Sequence, residues 1–411
     1  MSYHTAWLKV HYPAEFMAAV LSSDMDNTDK VVNFLDEARA LKIRVLSPNV
    51  NDSVYMFDAL DDGAIRYGLG AIKGVGRGAC ENIVAERERG GRYADLLDFC
   101  QRIDAQKINK RVLEALINSG ALDDLAPTRA SLAAQLPEVV KAAEQAARDR
   151  LAGQNDMFGA ASPVAPKLEL PVVDEWPLEQ RLAGERETLG HYLSGHPTDP
   201  WKAQLLQLAT CPLGEVEQKY QPPKMRPRKD DDGDNRFRRG PDTPWTIAGQ
   251  VVGLRKRGDT MAFVQIEDWS GRIEASFFRD AFVEFGPLLV RDAILVIEGG
   301  LSFDDFSNAH QLRARSVVTL EQACERFARS IRIVLNGVDA TFVDTLRTTL
   351  LAYRGGQTPL RLAYASAAGR ADIDLGSDWR VRAGPDLMRA LNRLPGVKSA
   401  ELLLTRATSA N

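Results

Sequence analysis

Cysteine is scarce in this chain. Cys80, Cys100, Cys211 and Cys324 are spread through 411 residues, with no CxxC pair and no Cys/His spacing suited to zinc. Neither a disulfide framework nor a zinc ribbon is indicated, and buried free thiols in a reducing compartment are expected. No apolar run approaches the ~18 residues of a membrane span. The start, MSYHTAWLKVHYPAEFMAAV, lacks the basic opening and small-residue cleavage site of a signal peptide. A cytoplasmic chain with no membrane contact is expected. Positive charge is not in excess either: 52 Lys and Arg against 56 Asp and Glu leave a formal net charge of −4, so any affinity for nucleic acid must come from local basic patches. A length of 411 residues suits two to four domains.

Glycine, by contrast, is concentrated. In Ala71–Arg87, "AIKGVGRGACENIVAER", Gly74, Gly76 and Gly78 fall within five residues just before a helical pattern. Glycines let a backbone turn tightly and approach a phosphate with no Cβ in the way. Helix-opening amides carry partial positive charge. No Lys-Ser or Lys-Thr follows as a P-loop requires, and "IRYGLGAIK" is a poor buried strand for a dinucleotide fingerprint. The pattern instead matches a helix–hairpin–helix. Leu69 and Ile72 precede the turn, Val75 plugs it, and Ala79 and Ile83 face the first helix. Lys73 and Arg77 add charge on the phosphate side. Non-specific grip on a nucleic-acid backbone is the expected function, and an ordinary interhelical turn is the bland alternative. Leu116–Asp124, "LINSGALDD", reads as a degenerate second copy.

Two further stretches carry chemistry. "GQNDMFG" at Gly153–Gly159 sets Met157 and Phe158 between an Ala-rich helix and a proline-rich linker. Such a pair is either a peptide that docks in a partner's pocket or a pin holding the linker to a neighbour. From Trp245 the pattern changes to five short strands with a helix-like insert, Phe282–Val290, between the third and fourth, suggesting an OB-type barrel. Arg255, Lys256 and Arg257 are expected in the loop joining its first two strands. Phe263, Trp269, Phe277 and Phe278 lie on or near the following strands with Arg272 among them. Aromatics beside basic residues make a single-strand platform. Half of those aromatics must face the barrel core, and Phe263 and Phe277 are taken as the free ones. "DDDGDN" departs from a calcium loop at its sixth and twelfth positions, Asn235 and Pro241. His191 and His196, and Asp24, Asp26 and Asp29, read as structural groups rather than metal ligands, so no metal or catalytic residue is assigned.

Elsewhere, helices are expected over about Ser2–Leu41, with Pro13 opening the second, then strands and loops over Ile43–Asp62. Pro127–Ala152 reads as a helix interrupted at Pro137, Gly159–Pro177 as linker and Leu178–Leu193 as helix. Tyr220–Pro244 reads as a mobile insertion. After Glu321, "IRIVLN" and "LRLAYA" look like strands while Ala340–Leu351 and Pro385–Leu394 look like helices, a small α+β unit.

These stretches together resemble the C-terminal portion of the bacterial DNA polymerase III alpha-subunit family, over nearly the whole chain. "SYHTAWLKVHYPAEFMAAVLSSDMDNTDKV" resembles the end of its fingers domain, "YGLGAIKGVG" its tandem helix–hairpin–helix domain and "QNDMF" its sliding-clamp peptide; "GERETLGHYLSGHP" and "SFDDFS" are also similar. The resemblance implies a multidomain chain. Its parts are fingers 1–60, hairpin domain 61–153, clamp peptide 154–158, linker with helix 159–219, insertion 220–244, OB-fold 245–320 and a tau-binding-like α+β domain 321–411. It implies duplex DNA at Lys73, Gly74, Val75, Gly76 and Arg77, and the clamp at Gln154, Asp156, Met157 and Phe158, with Asn155 departing from the usual leucine. Single-stranded template would lie at Arg255–Arg257 and the barrel aromatics, and the clamp-loader tau subunit at the C-terminal unit. The family's metal-binding aspartates lie in a palm domain preceding the fingers, so no cofactor is expected here, Mg²⁺ belonging with the palm, and the chain alone is expected to be inactive. Two other readings stay open: an enzyme using Asp24, Asp26 or the Asp61–Asp62 pair, and a non-replicative OB-fold RNA-binding module on a helical scaffold.

Overall fold

A computed structural model describes residues 2–151, 171–222, 243–304, 309–366 and 369–405. The chain divides into two compact units, Met1–His196 and Pro197–Asn411.

The first unit is helical. α1 (Ser2–His11), α2 (Pro13–Ser23) and α3 (Thr28–Ala40) come first. Pro13 opens α2, where its missing N–H has no intrahelical partner to lose. The cap of α3 is Asn27, whose side chain accepts from Lys30 N–H, while Asp24 takes the Lys30 ammonium at 2.7 Å. Three two-residue strands follow, β1 (Val45–Leu46), β2 (Asp58–Ala59) and β3 (Ile65–Arg66), in the order β1-β3-β2. After a 3-10 turn at Leu69–Ala71 come α4 (Arg77–Gly90), α5 (Leu96–Arg102), α6 (Lys110–Asn118), α7 (Arg129–Leu151) and α8 (Leu178–Leu189). One core runs from α2 to α8, through Met17, Leu35, Ile83, Phe99, Leu116, Leu132 and Leu189, and among the described residues α1 contributes none to it.

Two expectations about this unit need correction. α7 is not interrupted: it runs straight through Pro137. A mid-helix proline costs about 3 kcal/mol, and the buried Leu132, Leu136 and Val139, packed into the unit's core, hold the helix against that cost. Residues 171–176, expected as linker, form a strap along α7 instead. Gln135 donates to Pro171 O, Thr128 and Ser131 to Val173 O, and Glu175 accepts from the N–H groups of Arg129 and Ala130. Composition does not reveal such a strap, because its partners are side chains of another element.

The second unit opens with α9 (Lys202–Leu208) and α10 (Val216–Lys219). The barrel follows: β4 (Thr243–Arg257), β5 (Met261–Glu267), β6 (Arg272–Phe278), α11 (Asp280–Phe285), β7 (Ile294–Asp304) and β8 (Ala309–Thr319). It closes in the order β4-β5-β6-β8-β7, with β6 and β8 parallel. That order and the helix between its third and fourth strands are those of an OB-fold. β4 begins inside the segment expected as insertion, at Thr243; residues 223–242 lie outside the described residues.

α12 (Leu320–Phe327), closed by a capping box on Thr319 and Gln322, leads into the α+β part. This consists of β9 (Ala328–Leu335), α13 (Phe342–Leu351), β10 (Arg354–Thr358), β11 (Leu360–Ser366), β12 (Gly369–Asp374), α14 (Pro385–Asn392) and β13 (Val397–Leu404). The sheet order is β12-β11-β9-β13. Ile331, Ile333, Leu360 and Leu402 of the sheet share a core with Leu346, Leu350, Leu387 and Leu391 of α13 and α14. Among the described residues no helix is long and apolar enough to cross a membrane.

Candidate nucleic-acid interfaces

The glycine turn has a specific shape. Ile72 caps the 3-10 turn, Gly74 takes φ +87°, and Gly76 is the extended N-cap of α4. The left-handed φ is what requires a glycine at 74. Val75 is buried between the flanking elements with Leu69, Ile72, Ala79 and Ile83. The space where a Cβ would stand on Gly74, Gly76 or Gly78 is open. Among the described residues no acceptor takes the N–H of Gly74, Gly76, Arg77 or Gly78, so four amides face solvent at a helix start. This arrangement receives an anion with no side chain in the way.

Neighbouring elements brace the turn. Lys73 N–H donates to Thr188 O at the end of α8, at 2.8 Å. Gly190, at φ +82°, ends α8 against α3: a Cβ there would lie 2.0 Å from Thr28 Cγ2 and 4.0 Å from Lys73 Nζ. Arg77 is exposed, pairs with Glu81 at 2.8 Å and lies over the Tyr55 ring, 5.4 Å from its centroid. Sequence reasoning missed Tyr55, together with Gly68 and Gly70. A Cβ on Gly68 would stand 2.5 Å from Met56 C, and one on Gly70 2.4 Å from the Tyr55 ring. The signal was present in "YGLG", but the glycines at 74–78 are the denser cluster.

The expected second hairpin copy is different. Gly120 has φ +80°, but the Arg129 guanidinium fills its open side, 2.3 Å from where a Cβ would stand. Arg129 is itself buried between Asp123 (2.8 Å) and Glu185 (2.9 Å). An anion has no approach there.

On the barrel, register corrects three expectations. Arg255–Arg257 are not in a loop but end β4, opposite Phe263, Ala262 and Met261. Strand alternation puts Arg255 and Arg257 on the outer face and Lys256 in the row of the buried Ala262 and Phe277. Phe277 is fully buried in the barrel core and has no face free for a base. Phe278 is the outward aromatic. Its ring meets Phe263 edge-on at 6.4 Å between centroids. Arg313 of β8 lies over Phe278 at 5.3 Å and Arg255 over Phe263 at 5.2 Å, so two cation–π pairs flank two rings on one face. Arg272 is not part of this cluster: it pairs with Glu267 at 2.7 Å, at the opposite end of the β5–β6 ladder from Phe278. The β8 partner Arg313, far away in sequence, was not visible without the closed sheet.

The clamp-peptide residues Gln154, Asp156, Met157 and Phe158 lie outside the described residues. His191 packs on Tyr67 with ring centroids 5.6 Å apart, and His196 on Tyr192 at 5.7 Å.

Comparison with known proteins assigns these parts. Residues 42–132 match a family described as a helix-hairpin-helix motif, and 245–320 one described as an OB-fold nucleic acid binding domain. Residues 345–396 match the DNA polymerase III subunit alpha C-terminal domain. The chain is 47% identical to the DNA polymerase III subunit alpha of Xylella fastidiosa (strain Temecula1) over 413 residues, which is 98% of this chain and 34% of the relative. It is 42% identical to that of Vibrio cholerae and 40% identical to that of Escherichia coli K12, each over 410 residues and the same shares. The chain belongs to the DNA polymerase III alpha-subunit family. It spans about a third of the length of these relatives and corresponds to the C-terminal portion of the alpha subunit, with its helix–hairpin–helix region, OB-fold and C-terminal domain. Among solved structures, an asparaginyl-tRNA synthetase from Pyrococcus horikoshii is similar over 20% of this chain and 20% of its own, at 18% identity and TM-score 0.18. An OBody bound to hen egg-white lysozyme, AM1L10, covers 19% of this chain and 79% of its own, also at 18% and 0.18.

Proposed function

We propose that this chain is the DNA-holding and partner-docking part of a replicative polymerase alpha subunit. The observation that carries the reading is the turn at Lys73–Gly78, where four unpaired amides and two cations surround glycines with open space above them. Duplex DNA is the matching ligand: phosphates recur along it at fixed spacing, and such a grip involves backbone rather than base edges. The outer barrel face, with Phe263, Phe278, Arg255 and Arg313, takes single-stranded template by stacking. The peptide at Gln154–Phe158 tethers the subunit to the sliding clamp, which raises its effective concentration on DNA. The C-terminal α+β part docks the clamp loader's tau subunit. A cleft of about 750 Å³ between α9, α14 and β13, with Met388 and Leu402 in its lining and Lys202 and Arg389 among its charges, supports a docking role for this part.

The test is duplex affinity of the chain carrying Lys73→Ala and Arg77→Ala. Binding is expected to weaken equally for all sequences, and the slope of log K against log salt to fall by about 0.9 for each phosphate left unneutralised. Unchanged binding would overturn the hairpin assignment. Capture on immobilised sliding clamp tests the peptide: Phe158→Ala is expected to abolish it, and an unaffected variant would favour a module outside replication.

A further inference from the structure

Arg279 occupies an unusual place in the barrel. β6 ends at Phe278 and α11 begins at Asp280, so one residue must make the whole turn between them. Arg279 does so at φ 37° and ψ −105°, a conformation that residues with a Cβ avoid and glycine adopts freely. The backbone is pinned from both sides. Arg279 N–H donates to Thr260 O at 2.7 Å, and its carbonyl accepts from Val283 N–H at 2.9 Å. The position suits glycine on every backbone ground, yet it holds an arginine. Strain of this kind persists where a side chain is needed.

The surroundings indicate what the side chain does. Through Thr260 the residue lies beside the β4–β5 turn, and it directly follows Phe278. The neighbouring cation Arg255 is already engaged, with Glu274 at 3.2 Å. Arg279 is exposed and, among the described residues, has no ion pair or side-chain hydrogen bond. We propose that Arg279 binds a backbone phosphate of the single strand whose bases stack on Phe278 and Phe263, and that its strained backbone is retained to hold the guanidinium at the edge of those rings. A phosphate beside a stacked base is the ligand chemistry that an aromatic face with an adjacent free cation fits. The inference rests on the single-strand reading of the barrel given above.

The experiment titrates the full chain against a fluorescent oligo-dT strand over a range of salt, for Arg279→Ala, Arg279→Gly, Arg279→Lys and Phe278→Ala, with thermal midpoints recorded in parallel. Arg279→Ala and Arg279→Gly are expected to weaken binding alike, by about three- to ten-fold, and to reduce the salt slope by about 0.7, the value for one phosphate on a single strand. Arg279→Lys is expected to keep most of the slope. Arg279→Gly is expected to melt higher than Arg279→Ala, because only glycine relieves the turn. If Phe278→Ala weakens binding while the Ala and Gly variants bind as wild type, the role of Arg279 is overturned and the barrel reading stands. If Phe278→Ala also changes nothing, the barrel reading fails and the proposal with it. A Gly variant no more stable than the Ala variant would overturn the claim that a strained backbone is retained for the Arg279 side chain.

Discussion

Gly68 and Gly76 lie eight positions apart in one glycine-rich stretch and do opposite work. Gly68 is enclosed by backbone, with Met56 C 2.5 Å from any added Cβ, while Gly76 has an ordinary φ of −75° and open space around it. Gly68→Ala is therefore expected to destabilise the helical unit by about 1–3 kcal/mol, the range for forced overpacking. Gly76→Ala is expected to leave the melting midpoint nearly unchanged yet weaken duplex binding, because in the proposed grip its methyl group would stand where a phosphate approaches. Chemical denaturation and duplex titration of the two variants separate fold from function. Glu81 supplies a second test. It holds Arg77 from four residues along α4, with both side chains more than half exposed. An exposed pair of this kind is weak, so a phosphate displaces it easily, but the displacement still costs affinity. Glu81→Gln is expected to raise duplex affinity by about two- to five-fold at low salt, with the gain shrinking as salt is added; an unchanged affinity would show that Arg77 does not reach the phosphates. Legibility at this scale followed backbone chemistry. Val75, Ala79 and Ile83 were readable as the buried face because helical spacing is local. Phe278 was not, because the choice between adjacent aromatics depends on which strand register the closed barrel selects.

At the scale of elements, most helices and strands were readable, while the strap along α7 was not. Glu175, near the end of the strap, caps α7 from outside the helix, accepting from Arg129 and Ala130 N–H at 3.1 and 3.2 Å, and from Trp176 N–H at 2.8 Å. Desolvation is the largest single influence on its carboxyl and pushes the pKa up, but the three backbone donors and the positive charge of Arg181 together outweigh it and hold the pKa below the usual carboxylate range. The sign of the pH effect follows. With the folded pKa below the unfolded value of about 4.3, the cap contributes its stability above that pH and loses it as pH falls through the folded value. Glu175→Gln is expected to lower the melting midpoint at neutral pH, and the gap to wild type is expected to close as the pH drops below about 4. A gap that stays constant across that range would mean the carboxylate charge has no part in the cap. Residues 171–176 look like a linker because they lack periodicity, and an extended segment bonded to Thr128, Ser131 and Gln135 leaves no periodic trace of its own. The interior Pro137 misled in the opposite direction, since tertiary packing overrode a local breaker.

At the scale of the whole molecule, the chain carries three separate hydrophobic cores, in the helical unit, the barrel and the α+β part. The switch from helical to alternating pattern at Trp245 made the start of the barrel legible, but the α+β core is not one contiguous stretch: it also takes in Trp201, Leu205 and Leu208 and, from the barrel strands, Ala248 and Val296. The four cysteines are distributed over these cores: Cys80 and Cys100 in the helical one, Cys211 in the barrel, Cys324 in the α+β one. All four are buried free thiols. Burial pushes Cys80, Cys100 and Cys324 up to about 12, so these thiols stay protonated in the folded chain where unfolded thiols, near 8.5, have begun to ionise. Native protein is therefore expected to resist a thiolate-selective alkylating reagent at pH 8, and to lose stability as pH rises from about 8.5 towards 12, since the unfolded state gives up protons that the folded state retains. Labelling during a denaturant titration, read by peptide mass spectrometry, turns each thiol into a reporter for its own core. Cys80 and Cys100 are expected to label at one common midpoint because α4 and α5 share a core, whatever the midpoint of Cys324. Separate midpoints for Cys80 and Cys100 would mean that the glycine turn and α4 open without the rest of the helical unit, and a DNA grip that depends on a rigid turn would then lose its physical basis.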